Sequence, residues 1–283
     1  GFHYFETING SLTLQWIDKD KTAEFLGRVI ATRSAASIIA FSFVWVLFQH
    51  FQLSYMWLYT LGGGVAVLIV LFCWQSFPLF PEKVTQTKKI ILRKRYWLYY
   101  ALQFMSGARR QIFVVFAGFL MVEKFEFTVA EISMLLIANA AINVVFAPKI
   151  GRLIQRFGER KSLIFEYIGL SLIFAGYAFV ESSHFAVFLY IADHLFFSIA
   201  IALKTYFQKI ADPADIASSS GVSFTINHIA AVFIPVAFGL VWLSSPSLVF
   251  LAGSAMAIIS LILALNMPSK PAFGNEVLLG KFS

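Results

Sequence analysis

Charge is scarce in this sequence. Only 13% of its 283 residues are Asp, Glu, Lys or Arg, against about 25% in a typical soluble domain. That leaves too little polar surface to cover a soluble fold, and the wealth of apolar residues excludes a disordered chain. Cysteine is nearly absent as well. The single Cys73 excludes a disulfide framework and a thiolate metal cluster. It lies in an apolar run and reads as an inert buried thiol. The five histidines form no H-E-x-x-H pattern, and no paired carboxylates stand on one helix, so zinc and di-iron chemistry find no support and no cofactor is expected. Gly62-Gly63-Gly64 is followed by neither the Lys nor the Ser/Thr of a phosphate loop, so it reads as close helix packing.

What is present is apolar. Hydrophobic residues reach 59% and aromatics 17%, with 32 Phe, and mean hydropathy is +0.77. A membrane-spanning helix takes about 20 mainly apolar residues. Eight segments qualify: 29–50 (core Ala35 to Phe48), 54–77, 96–122, 130–148, 162–181, 184–206, 219–242 and 246–267. Residues 1–17 read as the end of a further span. The chain opens on Gly1, in mid-helix and without the basic start of a secretory signal, as a truncated chain would.

The net charge of +7 does not call for nucleic acid as a partner, because its positions alternate along the chain. Basic residues crowd the stretch before the first full span (Lys19, Lys21, Arg28), the 78–95 loop (Lys83, Lys88, Lys89, Arg93, Lys94, Arg95) and the 149–161 loop (Lys149, Arg152, Arg156, Arg160, Lys161). Lys204 and Lys209 flank the 207–218 loop, and Lys270 and Lys281 lie in the tail. The intervening loops Gln49–Leu53, Val122–Ala130, Ser182–Ser183 and Ser244–Ser247 hold one basic residue, Lys124. Basic loops face the cytoplasm, so every second loop is expected inside, with the C-terminus cytoplasmic and the protein in the cell (inner or plasma) membrane. Trp45, Trp57, Trp74, Trp97 and Trp242 sit near span ends, where interfacial aromatics belong.

Two features suggest an internal repeat and a family. Gln15-Trp16-Ile17-Asp18-Lys19-Asp20 and Gln208-Lys209-Ile210-Ala211-Asp212-Pro213 each follow an apolar stretch. Each leads through a short acidic loop into a helix rich in small residues, from Gly27 and from Gly221, a spacing of about 194 residues. The segment Gly151-Arg152-Leu153-Ile154-Gln155-Arg156-Phe157-Gly158-Glu159-Arg160-Lys161 resembles the loop motif of the major facilitator superfamily, G-x-L-x-D-R-x-G-R-R/K. Gly151, Leu153, Arg156, Gly158, Arg160 and Lys161 match, whereas Gln155 replaces the acidic residue and Glu159 a basic one. Gly107-Ala108-Arg109-Arg110-Gln111 and the stretch Gly221 to His228 also resemble uncharacterised bacterial members. The resemblance implies an all-α integral membrane helical bundle, with the fifth to twelfth helices of a twelve-helix plan and the end of the fourth. Residues 1–77 would be the truncated first half, 78–95 a basic cytoplasmic linker, 96–268 the complete second half and 269–283 a cytoplasmic tail. The loop motif, with Glu166 as a partner for Arg156 or Arg160, would latch one conformation of the carrier.

Polar groups inside spans cost a few kcal/mol even on lenient scales, so they suggest function or pairing. Arg109 and Arg110 lie halfway along 96–122, and Gln103, Ser106 and Arg110 share a face at i, i+3, i+7. Guanidinium matches carboxylate or phosphate geometry, so these residues and Asn227 are candidate substrate ligands, Arg110 the better placed. The structural alternative is an ion pair with Asp193 or Glu166. Asp193, His194 and His228 are candidates for proton coupling, since a carboxylate and an imidazole can exchange protons in a cavity. Their alternative is neutralisation of the arginines. Ser220, Ser223 and Asn227 form a stripe that suits either a helix contact or a substrate wall, and Asn139 and Asn143 suit interhelical hydrogen bonds.

The function expected is secondary transport of a small solute, an organic anion among the options, by a monomeric symporter or antiporter driven by protons across the lipid bilayer. An intramembrane enzyme and a non-transporting sensor or scaffold are the alternatives.

Overall fold

The computed structural model describes residues 2–51, 54–81 and 83–281. Gly1, and Gln52 and Leu53 of the expected loop Gln49–Leu53, lie outside the described residues. Among the described residues the only bridge between extended segments pairs Ala272 with Asn275 in the tail. The helices are α1 (Phe2–Trp16), α2 (Thr22–Phe51), α3 (Tyr55–Ser76), α4 (Lys94–Glu123), α5 (Val129–Phe157), α6 (Glu159–Ala178), α7 (Ser183–Ile210), α8 (Ile216–Ser244) and α9 (Pro246–Leu265). Eight of them, α2 to α9, are long and apolar enough to cross a membrane.

The expected spans are all present, but one boundary moves. The motif segment 149–161 is not a loop. α5 continues to Phe157, a single residue turns the chain, and α6 starts at Glu159. That residue is Gly158, at φ 84°, a left-handed conformation that only glycine adopts without cost. The other end of α5 is fixed by a capping box. The Thr128 hydroxyl accepts from the Glu131 N–H at 3.3 Å, and the Glu131 carboxylate accepts from the Thr128 N–H at 2.8 Å.

The apolar interior of α4–α9 divides into two clusters. One, at the end bearing the basic segments, gathers Tyr99 and Leu102 of α4, Tyr167 of α6, Phe207 of α7 and Met267. The other gathers Ile112 and Phe116 of α4, Phe174 of α6, Leu189 of α7 and Phe250 of α9. On α4, α6, α7 and α9 the buried polar residues Arg109, Glu166, Asp193 and Ser260 lie near where the two clusters meet. α3 buries no residue, and Cys73 on it is half-exposed rather than packed in a core.

α2 packs along α5 through bare backbone. A Cβ on Gly27 would collide with the Ala147 carbonyl, and one on Gly151 would collide with the Ala23 carbonyl. Small residues allow helices in lipid to approach this closely. The tail is not a plain extension either. It folds back over the basic end, where Arg95 pairs with Glu276, the Tyr206 hydroxyl donates to the Glu276 carbonyl at 2.6 Å and the Trp97 indole donates to Gly280 at 3.0 Å. Burial alone would raise the Glu276 carboxyl, but hydrogen bonds from Arg95 and the Gly274 N–H outweigh it and hold it below the usual range.

The backbone contact predicts an asymmetry between glycines. Gly151→Val should force α2 from α5 and cost about 1–3 kcal/mol, as overpacking does, lowering the midpoint of thermal unfolding in detergent. Gly62→Val, whose Cβ would meet nothing within 4 Å, should leave it unchanged. Equal midpoints would contradict the contact.

Candidate functional site

A cavity of about 420 Å³ opens where α1 and α2 face α4, α5 and α7. Four charged side chains reach it, one from each of four helices: Glu6 of α1, Arg33 of α2, Arg110 of α4 and Lys204 of α7. All four are exposed to it. Among the described residues none of them makes an ion pair within 4 Å. Glu6, Arg33 and Arg110 all act electrostatically on Lys204, so the four charges share one field. Asn9, Thr13, Asn143 and His194 add polar atoms to the walls. Asn143 also accepts from the Ser198 hydroxyl at 3.1 Å.

The backbone breaks where it meets this cavity. In α4 the α-helical hydrogen bonding stops at Gln111 and a π turn runs over Ile112–Ala117. In α7 a 3₁₀ turn, Ser198–Ala200, interrupts the helix. Phe113, Val114, Ser198 and Ala200 of these turns all line the cavity. Such interruptions are frequent at functional positions because they re-aim side chains and free backbone groups.

Arg109 and Arg110 therefore face different surroundings. Arg110 reaches the cavity, whereas Arg109 is fully buried between the two apolar clusters. Its guanidinium lies 3.9 Å from Glu166, bonds the Ser260 hydroxyl and covers the Tyr167 ring at 4.5 Å. Glu166 and Asp193 are likewise fully buried, and Asp193 lies within electrostatic reach of both Arg109 and Glu166. Among the described residues neither carboxylate has a hydrogen-bond donor, and two of the three Arg109 nitrogens have no acceptor. The result is one cation and two acids in a layer without water-exposed partners. His194, one residue on from Asp193, turns the other way, into the cavity. Of the two partners weighed for Glu166 in the sequence, the structure takes the arginine of α4. Glu166 meets Arg109, not Arg156 or Arg160, because it points into the bundle from the second turn of α6. Arg160 instead donates to the Leu265 carbonyl at 2.9 Å, capping α9.

The other candidates fall elsewhere. Gln103, Ser106, Asn227 and His228 do not line the cavity. Ser106 is buried. A Cβ on Gly107 would sit 2.7 Å from the Asn227 side-chain oxygen, so Asn227 fills the α4–α8 contact. The serine stripe serves the same contact: Ser223 donates to the Tyr99 hydroxyl at 2.6 Å, and Ser219, not Ser220, faces Tyr100 at 3.3 Å. His228 bonds the Phe224 carbonyl of its own helix at 2.9 Å. Asn139 is buried with neither side-chain atom hydrogen-bonded.

The motif residues gather at the basic end and join the two sets of helices. Gly151 abuts Ala23, and Gln155, in the place of the motif's acid, donates to the Asp20 carbonyl. Glu159 pairs with Lys209 at 2.7 Å. Arg156 lies near the Phe157 ring at 5.7 Å, and Leu153 and Lys161 are exposed. The two repeated segments meet here. Gln208 donates to the Leu14 and Ile17 carbonyls at 2.9 and 2.8 Å, closing the exposed carbonyl end of α1, and Lys19 reaches the Lys209 carbonyl at 3.4 Å.

Arg33 and Lys204 were not among the expected ligands. In the sequence Lys204 only flanks the basic 207–218 loop and Arg33 stands inside an apolar run; their place with Arg110 on the cavity wall sets them apart.

The family model of the Major Facilitator Superfamily matches residues 4–235. No curated protein matches the chain.

Breaking a buried ion pair costs about 3–5 kcal/mol when one charge is left alone. Arg109→Met should therefore destabilise the protein strongly in thermal unfolding, and Glu166→Gln added to it should restore part of the loss. Additive effects of the two substitutions would sink the pairing.

Proposed function

The chain belongs to the Major Facilitator Superfamily, and on that premise we propose that this membrane transporter is a proton-coupled secondary carrier of a small organic anion. The observation that carries the reading is the cavity. It lies between two sets of helices, shows Arg110 and His194 on its wall, and polar contacts join those sets at the basic end. Two bodies joined at one end can rock about a central site, which is the geometry of alternating access.

In this reading α1–α3 belong to the first half of a twelve-helix plan, the segment up to Lys94 is the linker and α4–α9 form the second half. The basic end is cytoplasmic by the charge rule, so the latched state opens outward. The motif residues Gly151 and Gln155 hold it, and their contacts to Ala23 and Asp20 must release before the site opens inward. Gln103, Ser106, Asn227 and His228 act at or beside the α4–α8 contact, which shifts as the second half rearranges.

The coupling proton belongs to the buried layer. Arg109, Glu166 and Asp193 carry one positive and two negative charges when all are ionised, and a single proton balances them. Solute binding at Arg110 and proton uptake at Asp193 sit on adjacent faces of α4 and α7, with His194 next to Asp193 on the cavity side. Energy comes from the proton gradient, as symport or antiport, by a monomer, and no enzymatic step is proposed.

Two variants test the assignment. Arg110→Gln, at normal membrane abundance, should lower uptake at least tenfold; unchanged uptake ends the role of Arg110. Asp193→Asn should abolish proton-driven accumulation while sparing counterflow exchange. Loss of both together would instead assign Asp193 to folding or binding.

A further inference from the structure

The cavity holds more charge than a monoanion needs. Arg33, Arg110 and Lys204 supply three cations and Glu6 one anion, so the described walls carry two positive charges in excess. None of the four is neutralised by an ion pair with a described residue. Unpaired charge at this depth is costly unless a ligand or water compensates it. The cations are also divided: Arg33 stands on α2, which belongs to the first set of helices, whereas Arg110 and Lys204 stand on α4 and α7 of the second. Both arginines offer the planar fork that grips a carboxylate or phosphate.

We infer that the substrate is a small dianion whose two charged groups are held by opposite sides of the cavity, one by Arg33 and the other by Arg110 with Lys204. This rests on the carrier reading and deepens it. The volume of about 420 Å³ accommodates a short dicarboxylate or a phosphate monoester with room for water, and Asn9, Thr13 and Asn143 can bond its polar backbone. A bridging dianion makes both sets of helices contribute to one binding event, so it favours states in which they approach. A monoanion engages only one side. Glu6 sets the charge count: it limits the excess to two and disfavours a third anionic group.

The test uses the full-length protein in detergent at pH 7.5, with affinities read from the ligand dependence of thermal unfolding. The probes are linear dicarboxylates from succinate to pimelate and phenyl phosphate, each beside a monoanion of matched length. At least one dianion should bind roughly tenfold or more tightly than its matched monoanion, the loss expected from removing one charge-assisted contact. Arg33→Gln and Arg110→Gln should each erase that preference, Arg33→Lys should keep most of it, and Glu6→Gln should shift it towards propane-1,2,3-tricarboxylate. If monoanions bind as tightly as dianions, or if Arg33→Gln changes nothing while its unfolding midpoint without ligand is normal, the dianion inference is overturned and the anion carrier survives. If no anion of either series binds, the anion-carrier reading falls with it.

Discussion

Arg109 is the largest fully buried side chain described in this molecule, with no exposure to solvent. A bilayer offers no hydrogen bonds, so a charge within it must meet another charge, a polar wall or a cavity. Glu166 and Ser260 meet Arg109, and Asp193 lies close by. The apolar clusters of α4–α9 close above and below that layer. The position of Asp193 in turn sets His194 on the cavity side of α7, and the position of Arg109 sets Arg110 there on α4. One costly group therefore orders the helices that carry the candidate site.

The second constraint is closure at one end. At the basic end α1 and α2 bear on α5 and α7 through backbone as well as apolar side chains: the carbonyls of Leu14, Ile17, Asp20 and Ala23 are all contact points, beside the apolar Leu14, Leu26 and Ile30. Contacts of this kind depend on tight approach, and they are lost together when the helices separate. A latch made of a few cooperative polar contacts suits a two-state device better than a broad apolar seam would. The repeat between Gln15–Asp20 and Gln208–Pro213 acquires a structural meaning here, because the two copies touch across the latch.

Much of this was legible in the sequence. Span number and length follow from the bilayer thickness, and every expected helix is present. The chain past Pro148 was read as loop because Lys149, Arg152 and Arg156 are charged. Long basic side chains at a helix end can extend to the interface while the backbone stays helical, and α5 runs on to Phe157. Adjacent positions such as Arg109 and Arg110 differ by about a quarter turn of helix, and periodicity alone does not say which of them meets an acid. The π turn beginning at Ile112 shifts the register beyond them, which no local pattern announces. Glu166 was matched first to the nearest basic residues along the chain, and the alternative, an ion pair with an arginine of α4, is the one the structure shows. Lys204 flanks a basic loop in sequence and Arg33 stands inside an apolar run, and both become part of a site only through tertiary packing.

The central claim is that the helices on either side of the cavity rock about it. Electron–electron distance measurement on spin labels tests this directly, in a background with Cys73 replaced by Ser. One label pair, at Lys21 and Arg152, spans the basic end; another, at Ser42 and Met134, spans the opposite end. In membranes the account predicts two populations at each end that shift in opposite senses when pH or a transported solute is changed, the distance growing at the basic end as it shrinks at the other. A single unchanging distance at both ends under every condition would contradict it.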